Sequence, residues 1–358
     1  MSRNTVARID LDALRHNLGV VRDLADGAGI VCVIKADGYG HGIERVARAL
    51  HAADQFAVAT PGEARSVRDA GWNGPLLLLE GFSDRDDFDT ARQLDLDLVI
   101  HHRSQLELLR DHGITPRQRL WLKLDTGMHR LGFPWSDVGQ VLAALESIRG
   151  RAKPVLMSHF ACADDPSSGM TRDQVQRFDQ ATTGLELDHS LANSAAILNY
   201  PETCRDLVRP GIMLYGISPV PGQTGHDHGL KPVMTLQCEI IAVNECRAGD
   251  RVGYGASYTC PHDMQIGVAA IGYGDGYPRH LKDGTPLLVN GQPARLAGRV
   301  SMDLVTIDLC GQAGVAVGDP VVLWGAGLPV EQVAEWAGAI PYELVCGVTG
   351  RVDRVEAG

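Results

Sequence analysis

Lys35 has more chemistry open to it than any other residue of the sequence. It ends an apolar, β-branched run, Ile30–Lys35, and is followed at once by Ala36-Asp37-Gly38-Tyr39-Gly40-His41-Gly42. An amine closing a buried strand is desolvated, which favours its neutral, nucleophilic form and allows a Schiff base with a carbonyl compound. Gly38, Gly40 and Gly42 let the backbone pass close to a bound group. Position alone leaves a second reading open, a lysine snorkelling to solvent beside a tight turn. Lys123 sits inside another apolar run, Leu120–Asp125. There a bare ammonium is costly unless it is modified or paired, with Asp125 or another acid. His159 and Arg209 close two later runs. Each suits either a structural contact or a functional one.

The runs that would position these groups recur along the chain. Ile30–Lys35, Phe56–Ala59, Leu76–Glu80, Leu96–Ile100, Leu120–Asp125, Pro154–His159, Asp188–Asn193 and Asp206–Arg209 read as strands. Ile43–His51, Gly62–Ala70, Gln105–Asp111, Val138–Ile148 and Arg172–Thr183 carry apolar residues at helical spacing between them. Strand and helix in alternation predict an α/β fold, a (β/α)8 TIM-like barrel whose functional groups gather at the C-terminal strand ends. After Gly216 the pattern changes. Pro219–Gly229 reads as a linker. Met234–Val243, Gln265–Ile271, Pro286–Val289, Leu304–Asp308 and Pro320–Trp324 follow as short strands, with Val330–Ala337 the one clear helix. The expected domains are an N-terminal barrel over residues 1–225 and a C-terminal mainly-β domain over 226–358. The strand at the start of the chain is available to the β domain.

With 358 residues, 44% hydrophobic and 22% charged, the chain has the composition of an ordinary globular protein. A formal charge of −11 argues against a nucleic-acid partner, which demands a basic footprint. Met1 to Leu14 alternates polar and apolar residues without the basic and apolar regions of a leader, and no run reaches membrane-spanning length. A cytoplasmic protein with no membrane partner is expected. Its eight cysteines form no C-x-x-C pair and read as reduced, mostly buried thiols. Neither a dinucleotide fingerprint nor a P-loop surrounds the glycines, and no metal motif is present, so no metal is expected. His226-Asp227-His228 reads as a solvated part of the linker.

The decapeptide Val33-Ile34-Lys35-Ala36-Asp37-Gly38-Tyr39-Gly40-His41-Gly42 resembles the cofactor-lysine motif of alanine racemases, pyridoxal-phosphate enzymes of fold type III. Further blocks resemble the family in order: Lys123 to Gly132, Ser158-His159-Phe160, Asn193-Ser194, Arg209 to Gly216, Val252-Gly253-Tyr254-Gly255, Gly298 to Asp303 and Tyr342-Glu343-Leu344. They cover nearly the whole chain.

The resemblance implies that Lys35 holds pyridoxal 5′-phosphate through a Schiff base, with Tyr39 packed nearby. Arg209 would donate to the pyridine nitrogen and be hydrogen-bonded by His159. Ser194, the backbone of Gly211 and Ile212, and the Tyr342 hydroxyl would hold the phosphate. Lys35 and Tyr254 would be the two acid/base groups, serving the D-face and the L-face. A carbamylated Lys123 would hold Arg130 for the substrate carboxylate and the cofactor phenol oxygen, with the Met302 N–H as a second donor. Tyr273 would gate the entrance with Tyr342, and Asp164 either lines it or is a surface acid beside Asp165. The family arrangement is a homodimer in which Tyr254, Tyr273 and Met302 act on the partner's site. Its product, D-alanine, would supply peptidoglycan or belong to alanine catabolism. Of the alternatives, a decarboxylase would pair the pyridine nitrogen with an acid instead of Arg209. A racemase for larger amino acids shares the plan, and a non-catalytic cofactor carrier would lack the β domain.

Overall fold

A computed structural model describes residues 4–146, 148 and 153–358. Met1 to Arg3 of the predicted alternating start, and Ser147 of the predicted helix Val138–Ile148, lie outside the described residues.

The first sheet is a closed circuit of parallel strands: Gly29–Val33, Gln55–Val58, Leu76–Leu78, Asp97–Ile100, Leu120–Asp125, Val155–Met157, Asp188–Asn193 and Leu207–Arg209. The eighth strand returns to the first, pairing Leu207 with Gly29 and Val208 with Ile30. Strands buried on both faces need continuous apolar runs, and Gly29–Val33, Leu76–Leu78 and Val155–Met157 supply them. Helices cover the outside. Arg103–His112 turns Leu106 and Leu109 inward, and Val138–Glu146 turns Val138, Val141 and Leu145 inward. The helix Leu11–Leu24 was not among those predicted. It buries Leu11, Leu14, Leu18 and Val21, and Asp10 caps it by accepting from the Ala13 N–H. The alternation read over Met1–Leu14 therefore stops at Asp10.

The C-terminal domain is an antiparallel sheet closed on itself. Strands Met264–Ala269, Val305–Asp308, Gln292–Leu296, Pro286–Val289, Pro320–Trp324 and Met234–Cys246 pair in that order, and the last returns to the first. Strand Val6–Asp10 joins this sheet, antiparallel to Met234–Cys246 and parallel to Asp353–Ala357. Three expectations are corrected. A second helix, Pro341–Cys346, follows Val330–Ala337. The stretch read as a linker is folded: Glu331 Oε1 accepts from the Ser218 and Gly225 N–H groups at 2.9 and 2.8 Å, and Gly225–His228 forms a 3-10 turn capped by Thr224 and Asp227. The thiols are all free, yet only Cys32, Cys238 and Cys260 are buried, while Cys310 and Cys346 are exposed. Among the described residues no helix is long and apolar enough to cross a membrane, and no cluster of side chains could hold a metal.

Candidate active site

The first strand ends at Val33, two residues before Lys35, because the chain there enters a left-handed turn. Ala36, Asp37, Gly38 and Tyr39 have φ of 52°, 53°, 60° and 51°. Only glycine is at ease there; each of the other residues costs about 1–2 kcal/mol. Surrounding contacts offset this. The Ala36 N–H donates to Glu63 Oε1 at 2.7 Å, and Asp37 Oδ1 accepts from the Ile43 N–H at 2.8 Å. His41 Nδ1 lies 2.8 and 3.1 Å from the Tyr39 and Gly38 carbonyls, and Arg354 Nε donates to the Gly40 carbonyl at 2.7 Å. Burial pushes His41 down to about 4, so near neutral pH the ring is uncharged and its single proton sits on Nδ1, facing those carbonyls. Gly40 is irreplaceable: a Cβ there would lie 2.1 Å from the Val345 carbonyl oxygen. The turn swings the Tyr39 ring inward, 4.8 Å from Tyr215 and 6.1 Å from Tyr342.

Opposite this turn, cations crowd the barrel rim. Arg209 closes the eighth strand, 4% exposed, and both terminal nitrogens of its guanidinium donate to neutral acceptors. Nη1 donates to the Ser190 carbonyl at 2.8 Å and to its hydroxyl at 2.6 Å; Nη2 donates to the carbonyls of Ser158 at 2.6 Å and Leu191 at 3.2 Å. His159 Nδ1 lies 3.5 Å from Nη2. Burial lowers Arg209 to about 10, so it stays charged at neutral pH. Lys123, buried within the fifth strand, is pushed down to about 8 by burial first and then by Arg209, Arg130 and Lys35, with Glu80 opposing. Burial and the same cations hold His159 well below its ordinary value. Asp125 does not neutralise Lys123. Its carboxylate accepts from the Gly127 and His129 N–H groups at 2.9 and 3.1 Å and faces His129 Nδ1 at 3.0 Å. A narrow crevice joins Lys123, Arg130, Ser158 and His159, with Arg130 open to solvent.

Between turn and cations lies a small polar cradle. Ser194 opens the helix Ser194–Asn199, and its Oγ accepts from the Gly211 and Met213 N–H groups at 2.9 and 3.4 Å. Ile212 is buried beside them. The Tyr39 hydroxyl abuts Gly211, where a Cβ would lie 2.4 Å from it. Tyr342, half-buried on Pro341–Cys346, is raised by burial and then by Asp164. Asp164 and Tyr342 both line a cavity of about 310 Å3 at this end of the barrel. The remaining sequence candidates lie on the β domain. The Tyr273 N–H donates to the Ser301 carbonyl and the Gly274 N–H to the Met302 carbonyl, so Tyr273 and Met302 sit on adjoining segments. Tyr254, Tyr273 and Met302 are 68%, 37% and 53% exposed.

Residues 9–219 match the family described as alanine racemase, N-terminal domain, and residues 233–356 match alanine racemase, C-terminal domain. The chain belongs to the alanine racemase family. It is 53% identical to an alanine racemase of Nitrosococcus oceani over 97% of this chain and 98% of that one. It is 49% identical to an alanine racemase of Shewanella loihica, with 97% of each chain covered. The crystal structure of biosynthetic alanine racemase from Pseudomonas aeruginosa superposes with a TM-score of 0.96 at 44% identity, covering 99% of this chain and 100% of that one. The barrel with its antiparallel C-terminal domain is thus the alanine racemase fold, and the chain is an isomerase of amino acids.

Within this racemase, the structure brings Lys35, Tyr39, Lys123, Arg130, His159, Ser194, Arg209, Gly211, Ile212 and Tyr342 to one end of the barrel. Tyr254, Tyr273 and Met302 are exposed on the β domain. Sequence reading missed Glu63 and Arg354, which hold the turn after Lys35, and gave no role to His41. For Glu63 a signal existed: Thr60-Pro61-Gly62-Glu63 is a capping box, formed here with the Glu63 N–H donating to Thr60 Oγ1 at 3.2 Å. Nothing in that signal points to Ala36.

Proposed function

We propose that the chain interconverts L- and D-alanine with pyridoxal 5′-phosphate held on Lys35, using Lys35 and Tyr254 of two subunits as its proton-transfer groups. The supporting observation is the gathering of Lys35, Lys123, Arg130 and Arg209 around one barrel mouth. Mutual repulsion there calls for anionic occupants, and a phosphorylated cofactor with a carboxylate substrate provides them. The Ser194–Gly211 cradle, roofed by Tyr39 and Tyr342, fits a phosphate. When bound, the cofactor supplies an electron sink that makes the α-proton of an attached amino acid removable.

The residues then have separable tasks. Arg209 keeps its proton and would donate only a hydrogen bond toward the pyridine nitrogen of a bound cofactor, which would keep the sink weak and disfavour side reactions. His159, neutral beside Arg209, orients it. Ser194, the Gly211 and Ile212 backbone and Tyr342 bind the phosphate, and Arg130 and the Met302 N–H orient the substrate carboxylate. Lys35 takes or returns the proton on the D-face, and Tyr254 does so on the L-face. In a homodimer Tyr254 would face the cationic mouth of the partner's barrel. Its exposure in the single chain is the surface that a second subunit would cover, and Tyr273 would narrow the entrance with Tyr342. The D-alanine made serves peptidoglycan supply or alanine catabolism.

The deciding experiment is exchange in heavy water. The purified chain with pyridoxal 5′-phosphate should place deuterium on the α-carbon of L-alanine while forming D-alanine. Exchange confined to serine, lysine or arginine would move the substrate assignment, and no exchange on any of them would leave a cofactor carrier.

Two further outcomes are expected. Lys35→Ala and Tyr254→Phe together test the shared site. Each is inactive alone, whereas co-expression makes heterodimers half of the time, each with one whole site, so about a quarter of wild-type activity returns. No recovery would mean that each site is built within one chain. Lys123, lowered to about 8, leaves roughly one amine in ten neutral at pH 7, able to take up carbon dioxide as a carbamate anion that holds Arg130. Native intact mass should show the adduct, and Lys123→Ala should raise KM for alanine about tenfold or more through loss of Arg130 alignment. An active enzyme with an unmodified Lys123 would remove the carbamate.

A further inference from the structure

Glu63 lies outside the barrel mouth, on the helix Pro61–Asp69, yet its carboxylate joins two strand ends. Oε1 accepts from the Ala36 N–H at 2.7 Å, and Oε2 accepts from the Ala59 and Thr60 N–H groups at 2.8 and 3.2 Å. Backbone pairing between the first two strands runs out just before this point: Val33 pairs with Ala57, and the Ile34 N–H donates to the Ala57 carbonyl at 2.9 Å. Beyond it the first strand turns left-handed and offers its neighbour no carbonyl. The carboxylate takes over, accepting from both sides of the gap. An ionised carboxylate accepts at both oxygens, whereas an amide of the same size accepts at one and presents donors at the other. Donors face Glu63 from both directions, so only the acid satisfies them all.

The bond to Ala36 falls on the peptide that follows Lys35, and it fixes the plane of that peptide and the direction of the Lys35 Cα. From these contacts we infer that Glu63 is a positioning residue for Lys35: its carboxylate holds the strained turn Ala36–Tyr39 in register and so aims the amine. The inference rests on the proposal that Lys35 carries the cofactor and moves a proton. A displacement of about 1 Å at a reacting group costs about a hundredfold in rate, so a small loosening of this peptide is measurable.

The test compares Glu63→Gln with Thr60→Ala, using the enzyme reconstituted with pyridoxal 5′-phosphate. Thr60→Ala removes the other half of the capping box and leaves the Ala36 contact in place. Glu63→Gln should lower kcat about 10- to 100-fold with KM within about threefold. It should also weaken cofactor binding and shift the pH midpoint of the lysine-bound cofactor's visible absorption. Thr60→Ala should lower the Tm and leave kcat and that midpoint unchanged. Wild-type kcat and midpoint in Glu63→Gln, or equal losses in both variants, would overturn the inference. Should Glu63→Gln not fold, hydrogen–deuterium exchange on the wild-type enzyme decides: the Ala36 amide should exchange slowly, and free exchange there would overturn the assignment. Borohydride reduction and peptide mapping of the wild type separate the two questions. Cofactor found off Lys35 defeats the functional proposal, whereas cofactor on Lys35 with an indifferent Glu63 defeats only the positioning role.

Discussion

Tyr254→Phe is expected to stop racemisation in both directions while sparing half of the exchange chemistry. Removing one acid/base group costs about 10²- to 10⁴-fold in kcat, and because a net reaction must use both faces, the loss is the same from L- and from D-alanine. Exchange need not use both faces. On the proposed assignment Lys35 can still lift the α-proton of D-alanine, trade it with solvent and return it to the same face, so D-alanine should gain deuterium in heavy water without becoming L-alanine. L-Alanine, whose proton faces the missing hydroxyl, should gain none. Proton NMR of the α-position follows both substrates in one experiment. Deuterium entering both substrates equally would defeat the assignment of one face to each residue. The substituted residue is 68% exposed in the single chain, so folding of the subunit should be little affected.

Arg209→Met should damage stability and activity together. The guanidinium serves the Ser158, Ser190 and Leu191 carbonyls inside the barrel wall, and methionine fills part of the space while donating nothing. Leaving such acceptors unpaired costs about 1–3 kcal/mol each before relaxation, and a net loss of about 2–4 kcal/mol is expected. Denaturant titration of the folded variant measures it. Activity should fall by at least about a hundredfold, because the group proposed to meet the pyridine nitrogen would be gone. A third effect distinguishes this variant from a merely unstable one. Burial does most to hold Lys123 down and Arg209 is the foremost of the charges that add to it, so removing Arg209 lets the amine rise part of the way from about 8 toward its ordinary value. The neutral fraction at pH 7 then shrinks, and carbamate uptake, followed by intact mass, should fall with it. Unchanged uptake in folded Arg209→Met would argue against this coupling.

The barrel was legible because a doubly buried strand must be apolar along its length, and such runs announce themselves. Leu120–Asp125 and Asp188–Asn193 are found where the sequence puts them, as are Pro286–Val289, Pro320–Trp324 and the helix Val330–Ala337 in the second domain. The candidate site was legible through its motif blocks, since charged groups closing apolar runs stand out. Backbone conformation was not. Alanine and aspartate carry no mark of a left-handed φ, so the strand was expected to reach Lys35 when it stops at Val33. Polar anchors acting at a distance were equally hidden. Glu331 binds Ser218 and Gly225 from more than a hundred positions away, which turned an apparent linker into a folded segment. The helix Arg85–Gln93 buries only Phe88 and Ala91, too short an apolar stripe to be recognised.

Strand Val6–Asp10 lies between Met234–Cys246 and Asp353–Ala357, and that placement governs the order of assembly. During synthesis the strand remains without either neighbour while more than two hundred residues are added, and its second neighbour follows it by more than three hundred. The barrel can close in the meantime, but the second sheet is a contact of very high sequence separation, which slows folding and leaves an apolar edge open on the way. The two family segments are therefore not two independently expressible pieces. A polypeptide cut off before residue 353 should release a nascent chain with an unfilled sheet edge, a substrate for chaperones and proteases instead of a smaller enzyme.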